Sequence, residues 1–163
     1  MKKFVFLFSL VFLVACGDSY DKDGFAIVTD YAEEAIEAID STILEIVAQA
    51  ENEELNEEAL AYAERLRSIN DRYWEKGKLG DVYGDEEISS WDIKMSRGNQ
   101  EWHVDGDELS EAIYNVEADV DFLANEIESV YEEPTEDNVS RLATAIEYAR
   151  ESSDELRMVL YNQ

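Results

Sequence analysis

Apolar residues recur every three or four positions through most of this 163-residue chain, with charged residues between them. This spacing puts the apolar side chains on one face of an α-helix, which has 3.6 residues per turn. Four such stripes occur, in residues 28–50, 55–73, 107–133 and 139–160. Each stripe needs another apolar face to pack against. The sequence therefore predicts an all-α fold, an antiparallel four-helix bundle.

Single residues mark the start of the third helix, its end and the start of the fourth helix. Asp107 precedes the third stripe and is a candidate N-cap, because its carboxylate can accept hydrogen bonds from free backbone N–H groups. Pro134 cannot continue a helix, so the third helix should end before it. Thr135 follows directly and is a candidate N-cap for the fourth helix.

The two halves of the chain resemble each other. Residues 34–36 and 111–113 share the sequence Glu-Ala-Ile, and residues 60–63 resemble residues 142–145 in the following helix. In each half, a helix without basic residues precedes one that carries arginines. Either two αα-hairpins arose by duplication, or amphipathic helices have become similar by chance. Both alternatives give the same antiparallel four-helix arrangement.

A long crossover, residues 75–106, separates the two predicted hairpins and lacks the helical stripe. It is rich in glycine, and a connection of this length needs an explanation in a compact domain. Its short alternating runs, from Ile88 to Met95 and from Gln100 to Val104, predict either a small β-hairpin or a folded flap. We otherwise expect an irregular segment.

The crossover and its edges contain all the tryptophans and the one histidine of the chain. Tyr83, Trp91, Trp102 and His103 are the candidate protein-binding residues, because aromatic side chains dominate the energetics of many interfaces. The alternative is that these aromatic side chains cover one end of the helical core. Trp74 continues the second stripe, so we expect it to take the packing role.

The chain is strongly acidic, with 40 Asp and Glu against 13 Lys and Arg and a formal net charge of −27. Such a surface repels nucleic acids and anionic lipids, so binding to either is not expected. A protein partner is expected to be cationic or neutral. The acidity is alternatively a device for solubility alone.

Catalytic and metal sites are not expected. A di-iron bundle needs two Glu-x-x-His motifs and zinc needs several soft ligands, whereas this chain has one histidine and one cysteine. His103 could form a triad with Ser89 or Ser90, but no nucleophile elbow accompanies them. Two oxygen-rich loop groups do not have EF-hand spacing. They are Asp81, Asp85, Glu86 and Glu87, and Asp105, Asp107 and Glu108. We expect no cofactor.

The N-terminus has the pattern of a secretory signal. Lys2 and Lys3 precede an apolar run, residues 4–14, which is too short to span a bilayer stably. The sequence Leu-Val-Ala-Cys that ends at Cys16 resembles the lipobox of bacterial lipoproteins. The resemblance implies that Cys16 is lipidated, that residues 1–15 are removed, and that the acyl chains hold the protein at a membrane.

The resulting organisation is a removed signal peptide in residues 1–15, a lipidated cysteine and tether in residues 16–24, and a single helical domain in residues 25–163. The expected location is outside the cytoplasm. In a two-membrane envelope this is the outer membrane, and otherwise it is the outer face of the cell membrane.

The leading hypothesis is a non-enzymatic lipoprotein that binds a cationic protein, for example by inhibiting a toxin or a wall-degrading enzyme. One alternative is a structural lipoprotein that assembles with an envelope complex. Another is a binder of a small ligand or a divalent cation. The sequence alone leaves the oligomeric state open.

Overall fold

The computed structural model describes residues 20–50, 55–75, 77, 79–84 and 88–162. The predicted signal peptide, Cys16 and residues 17–19 of the predicted tether lie outside the described residues, as do Asp85, Glu86 and Glu87. The described chain is mostly helical, as predicted, and it also contains a small two-stranded sheet.

Five α-helices and two strands follow one another along the described ranges. They are α1 (Lys22–Ala50), α2 (Glu57–Asn70), α3 (Leu79–Gly84), β1 (Asp92–Arg97), β2 (Gln100–Asp105), α4 (Gly106–Glu132) and α5 (Glu136–Tyr161). The end of α2 continues as a wider π-helical turn, Asp71–Glu75, and a short 3₁₀ turn, Ile88–Ser90, precedes β1.

The four long helices pack on one another through their apolar stripes. α1 contacts α2 and α5, and α4 contacts the same two helices. Their contacts include bonds from Tyr31 to Asn70 and from Arg157 to Asp40. One hydrophobic core joins all four, and its largest fully enclosed side chains include Ile39, Leu66 and Leu123. No helix within the described ranges is long and apolar enough to cross a membrane.

The first helix begins earlier than the apolar stripe indicated. The side chain of Asp21 accepts hydrogen bonds from the backbone N–H groups of Asp23 and Gly24, which starts α1 at Lys22. Gly24 is buried close to Trp91. Residues 22–24, which lie in the predicted tether, are therefore the first residues of α1.

One predicted N-cap is confirmed and the other is wrong. Thr135 caps α5, since its hydroxyl accepts a bond from the Asn138 N–H, and α4 ends at Glu132, before Pro134. The cap of α4, however, is Asp105, whose carboxylate accepts bonds from the N–H groups of Asp107 and Glu108. The helix starts two residues earlier than a cap at Asp107 would allow.

Gly106 explains why α4 starts there. A Cβ atom at this position would lie 2.0 Å from the carbonyl oxygen of Ile88 and 2.7 Å from the nitrogen of Trp91. The backbone N–H of Gly106 also donates to the Trp91 carbonyl at 2.8 Å. Only glycine lets the chain pass this closely as it leaves β2 and enters the helix.

Of the two alternatives for the alternating runs of the crossover, the structure contains the small hairpin. β1 and β2 pair antiparallel, with Ile93 opposite Val104, and Gly98 in the connecting turn has a φ of 63°. Ile93, Met95 and Val104 are buried, so one face of the hairpin belongs to the core. Together with α3 and the 3₁₀ turn, the hairpin gives much of the crossover regular structure, which corrects the expectation of an irregular segment.

Candidate functional site

The structure places Trp91 inside the molecule. Its side chain is only 2% exposed, and its ring lies edge-on to the rings of Tyr20 and Phe25, with centroids 6.4 and 6.1 Å away. Its indole N–H is buried and meets no hydrogen-bond acceptor among the described residues. Of the two alternatives for this residue, the geometry fits packing, because a ring enclosed in this way offers no surface to a partner.

Trp102 joins the hairpin to the last helix. Its indole N–H donates to the carbonyl oxygen of Leu160 at 3.1 Å, and its half-buried ring packs against the core. This bond occupies the polar atom of the ring and satisfies one of the carbonyl groups that the last turn of α5 would leave free. Part of the ring remains accessible.

Tyr83 packs on Trp74 rather than standing alone. Their rings are edge-on, with centroids 5.3 Å apart, and Trp74 is in turn edge-on to the buried Tyr31 at 6.1 Å. Trp74 thus packs against the core, as its position in the second stripe predicts. Tyr83 covers it from outside and is itself half-buried.

His103 is the most accessible of the four candidates. Its side chain is 66% exposed, and its Nδ1 atom lies 3.1 Å from a carboxylate oxygen of Asp92 on the paired strand. Directly opposite, Lys94 forms an ion pair with Glu101 at 2.8 Å. The four candidates therefore have different surroundings: Trp91 lies in the core, Tyr83 and Trp102 are half-buried, and His103 faces solvent.

A polar seam between α2 and α4 was not singled out from the sequence. At one end of it, Arg67 of α2 binds the carboxylate of Glu128 through both terminal nitrogens. The same guanidinium donates to the side-chain oxygen of Asn125 at 2.7 Å. A paired arginine favours the charged form of a carboxylate, and the pKa of Glu128 is accordingly lowered.

Asn70 organises the other end of this seam. Its side chain is buried, and its Nδ2 atom donates to the Glu117 carbonyl and to a carboxylate oxygen of Asp121, both at 2.9 Å. Its oxygen accepts a bond from the hydroxyl of Tyr31 at 3.1 Å. Burial, and to a smaller extent the nearby carboxylates of Glu117 and Asp121, raises the pKa of Tyr31, so this hydroxyl stays a donor.

Beside Asn70 the seam opens into a cleft of about 180 Å³. Asp71, Trp74, Glu117 and Asp121 line it, together with Arg67 and Asn125 from the first end of the seam. The carboxylate of Glu117 forms no hydrogen bond or ion pair with any residue that the structure describes. Burial, and secondly the charge of Asp121, raises its pKa. The cleft thus contains three carboxylates and one guanidinium group, that of Arg67, whose charge interacts with that of Asp121.

Two further carboxylates also have raised pKa values. Burial raises the pKa of Glu33 in α1, with a further contribution from Asp30. Burial also raises the pKa of Asp119 in α4, and Glu151 adds to the shift. Within the described ranges, no group of three or more His, Cys, Asp and Glu side chains has a geometry that fits a metal ion.

A sequence signal for the cleft does exist, although it is weak. Glu117 and Asp121 are four residues apart, and Arg67 and Asn70 are three apart, so each pair lies on one face of its helix. Which faces of the two helices meet cannot be read from spacing alone, because solvated acidic pairs have the same pattern.

No protein-family model matches this chain, and no similar protein was found among curated proteins or solved structures.

Proposed function

We propose that this protein is a non-enzymatic lipoprotein that binds a cationic protein partner outside the cytoplasm. The observation that carries the proposal is the distribution of charge between the helices. The arginines at the helix contacts are partly exposed, and each pairs with an acidic residue of a neighbouring helix. These pairs are Arg65–Glu37, Arg67–Glu128, Arg72–Glu34, Arg141–Glu126 and Arg157–Asp40.

This pairing occupies the arginines at the helix contacts and leaves the acidic excess on the outer faces. Asp107, Glu108 and Glu111 are exposed at the start of α4, and Glu132 and Glu136 are exposed around the turn between α4 and α5. A surface on which acidic side chains outnumber basic ones attracts a cationic protein over several ångströms and accelerates its association. This favours a charge-steered partner over acidity that serves solubility alone.

The lipobox-like sequence at Cys16 supports the location. Lipidation there, after removal of residues 1–15, would hold the helical domain beside the membrane, where it meets secreted or envelope proteins. The acidic surface repels anionic headgroups, so the acyl chains would supply the membrane affinity. A cationic toxin or wall-degrading enzyme is the class of partner that combines this location with this charge.

We also propose that the four long helices form one antiparallel four-helix bundle, in a single domain that begins near residue 20. Cross-helix bonds support it: residue 41 bonds to 65 and residue 34 to 72, while residue 67 bonds to 128 and residue 70 to 121. In the α2–α4 pair the sequence numbers run in opposite directions. The alternative origins, duplication and chance, both agree with these pairs.

The test is binding of the full chain, purified in a mild detergent, to a basic lysozyme-type enzyme and to a neutral protein of similar size. We expect binding to the basic enzyme at 50 mM salt and its loss at about 1 M salt, where the screening length falls to about 3 Å. Inhibition of wall hydrolysis in the same titration would identify the inhibitory role.

Two results would overturn the proposal. One is the absence of binding to basic proteins at low salt. The other is affinity that is unchanged by salt, which would favour an assembly lipoprotein that docks through apolar contacts. A matched control is a variant with Asp107→Asn and Glu111→Gln. It removes two exposed charges from α4 and is expected to slow association without abolishing it.

A further inference from the structure

The outer edge of β1 has no neighbouring strand. The sheet consists of β1 and β2, and within the described ranges the backbone of residues 92–97 forms no backbone–backbone hydrogen bond outside this pair. On the other side of the hairpin, β2 continues into α4 and is bonded to α5 through Trp102. β1 thus presents a row of backbone N–H and C=O groups to which another strand can bind.

The pairing pattern shows which residues face this edge. The Gly106 N–H donates to the Trp91 carbonyl at 2.8 Å, so these two residues belong to a hydrogen-bonded position of the ladder. In an antiparallel ladder such positions alternate with positions whose backbone groups point outward. Every second residue after Trp91 therefore bonds to β2. The backbone groups of the residues between them, Asp92, Lys94 and Ser96, point away from β2.

β1 lacks several features that commonly block an exposed edge. It contains no proline or glycine, and its register with β2 runs from residue 92 to residue 97 without a bulge. The side chains of Asp92 and Lys94 lie on the solvent face and are 76% and 38% exposed. The buried side chains of β1 already belong to the core, so an added strand would be recognised through backbone bonds and these two opposite charges.

These two charges complement each other when two β1 strands pair about a two-fold axis. An antiparallel register with Ile93 at the axis places Asp92 of each copy opposite Lys94 of the other. Each facing pair then exchanges two backbone hydrogen bonds, because both residues direct their backbone groups to the new neighbour. A register centred on Lys94 would place two lysines opposite each other, which is destabilising. One centred on Met95 would place Lys94 opposite Ser96 and would form no ion pair.

The contacts within each hairpin are compatible with this pairing. Asp92 lies 3.1 Å from Nδ1 of His103, and Lys94 binds Glu101 at 2.8 Å. A carboxylate accepts several hydrogen bonds, and an ammonium group has three N–H donors. Asp92 and Lys94 can therefore bind across the new edge without losing their neighbours on β2.

We propose that the outer edge of β1 binds β1 of a second copy of this chain, in the antiparallel register with Ile93 at the two-fold axis. The product is a homodimer with a continuous four-stranded sheet. The observation that carries this proposal is the unpaired edge together with the self-complementary Asp92 and Lys94. The dimer goes beyond the proposed function and does not depend on it, since it uses the hairpin and not the acidic faces of the long helices.

The test reverses the charge at the two facing positions. Asp92→Lys places lysine opposite lysine, and Lys94→Asp places aspartate opposite aspartate, so neither variant should pair with itself. An equimolar mixture of the two variants restores both ion pairs and should form a mixed dimer. Glu111→Lys, on the exposed face of α4, is the matched control, because it changes the net charge by as much as Asp92→Lys does.

Sedimentation equilibrium of the full chain in a density-matched detergent measures the association, with micelles in large excess over protein. At about 0.3 M salt the repulsion between two copies is largely screened. We expect each reversed variant to dimerise at least about tenfold more weakly than the wild type and Glu111→Lys, which corresponds to about 1.4 kcal/mol. The mixture should dimerise like the wild type.

Amide hydrogen exchange provides a second readout. The N–H groups of Asp92 and Lys94 should be protected only at concentrations at which the dimer forms. Those of Ile93 and Met95, which bond to β2, should be protected at all concentrations. Their protection also verifies that the hairpin is intact in the variants. If a reversal disturbs the hairpin, Asp92→Asn and Lys94→Gln are the milder pair, and each should weaken dimerisation about threefold.

A wild-type protein that stays monomeric at every concentration would overturn the dimer. Dimerisation of the reversed or the milder variants as strong as that of the wild type would also overturn it, as would a mixture that fails to associate although both hairpins are intact. If the Lys94 amide of a monomeric wild-type protein became protected only on addition of the basic enzyme, the edge would belong to an extended segment of that partner, which would contradict the second copy.

Salt separates this proposal from the proposed function. Dimerisation should strengthen between about 50 mM and 0.3 M salt, because screening reduces the repulsion between two acidic copies. Binding of the basic enzyme should weaken over the same range. Loss of one behaviour would leave the other intact, so the two proposals fail separately.

Discussion

Glu128 and Glu117 lie on the same helix, face the same neighbour and have opposite electrostatic surroundings. Glu128 is held by Arg67, and its pKa is lowered. Glu117 has no such partner among the described residues, and burial raises its pKa. The comparison shows that carboxylates at the helix contacts are not all stabilising. Some stabilise the contact between two helices, whereas others are partly removed from water without a paired charge.

The largest effect should follow from removing the partner of a paired carboxylate that is deeply buried. Glu126 is 2% exposed and is paired with Arg141. We expect Arg141→Met to lower the free energy of unfolding by about 3 kcal/mol, because it leaves a buried charge without compensation. Urea unfolding at pH 7 measures the change.

Arg150→Met is the control for that substitution. Arg150 is exposed on the same helix and forms no ion pair with the described residues. Its replacement should change the free energy of unfolding by less than about 0.5 kcal/mol. Equal effects of the two substitutions would contradict the importance of the buried pair.

A smaller effect should follow at the more exposed pair of the α2–α4 seam. Arg67→Met removes both bonds to Glu128, but both side chains are about one third exposed, so water compensates part of the loss. We expect a decrease of about 1 kcal/mol in the free energy of unfolding. Urea unfolding provides the measurement. A decrease as large as that of Arg141→Met would show that burial does not separate the two pairs.

The carboxylates with raised pKa values should make the protein more stable in mild acid. Glu33, Glu117 and Asp119 have raised pKa values, so the folded protein binds their protons more tightly than the unfolded chain does. Stability therefore rises as the pH falls through the folded-state pKa values, and the gain is complete below the unfolded values. Glu128 acts oppositely, since its contribution is lost as the pH falls through its lowered pKa.

We expect thermal melts to show a higher midpoint at pH 5 than at pH 7. The general repulsion of a chain with a net charge of −27 acts in the same direction, so a control is needed. A variant with Glu33→Gln, Glu117→Gln and Asp119→Asn should gain less on acidification than one with Asp107→Asn, Glu108→Gln and Glu111→Gln. Identical pH profiles would mean that net charge alone sets the dependence.

The smallest effect should be a gain in stability. Glu117→Gln keeps the shape of the side chain and removes its unpaired charge from the cleft. We expect the free energy of unfolding at pH 7 to rise by about 0.5 kcal/mol. The exposed Glu111→Gln should leave it unchanged within the error of the same urea titration. A loss of stability in Glu117→Gln would show that the charged carboxylate is already compensated.

The sequence predicts the helices much better than it predicts the cleft. Stripes at helical spacing locate the long helices, and Thr135 and the hairpin are found because caps and alternating strands depend on nearby residues. Asp105 was missed as a cap because the close approach of Gly106 to Ile88 and Trp91 decides where α4 starts.

The surroundings of the aromatic and acidic residues depend on contacts that are distant in sequence. Trp91 is enclosed partly by Tyr20 and Phe25, which precede it by more than sixty positions. Glu117 and Glu128 look alike in the sequence, and only the position of Arg67 on the other helix separates them. Local pattern therefore identifies elements, whereas the chemistry of a site depends on which helix faces meet.

The three tryptophans have different surroundings, so their fluorescence can report on three regions of the protein. Trp91 is enclosed by aromatic rings, while Trp102 is bonded to the last turn of α5 and Trp74 lines the cleft. Loosening of the C-terminal turn would alter the emission of Trp102 before that of Trp91. A ligand in the cleft would act mainly on Trp74. In single-tryptophan variants, the wavelength and intensity of the emission would thus distinguish local opening, changes at the cleft and global unfolding.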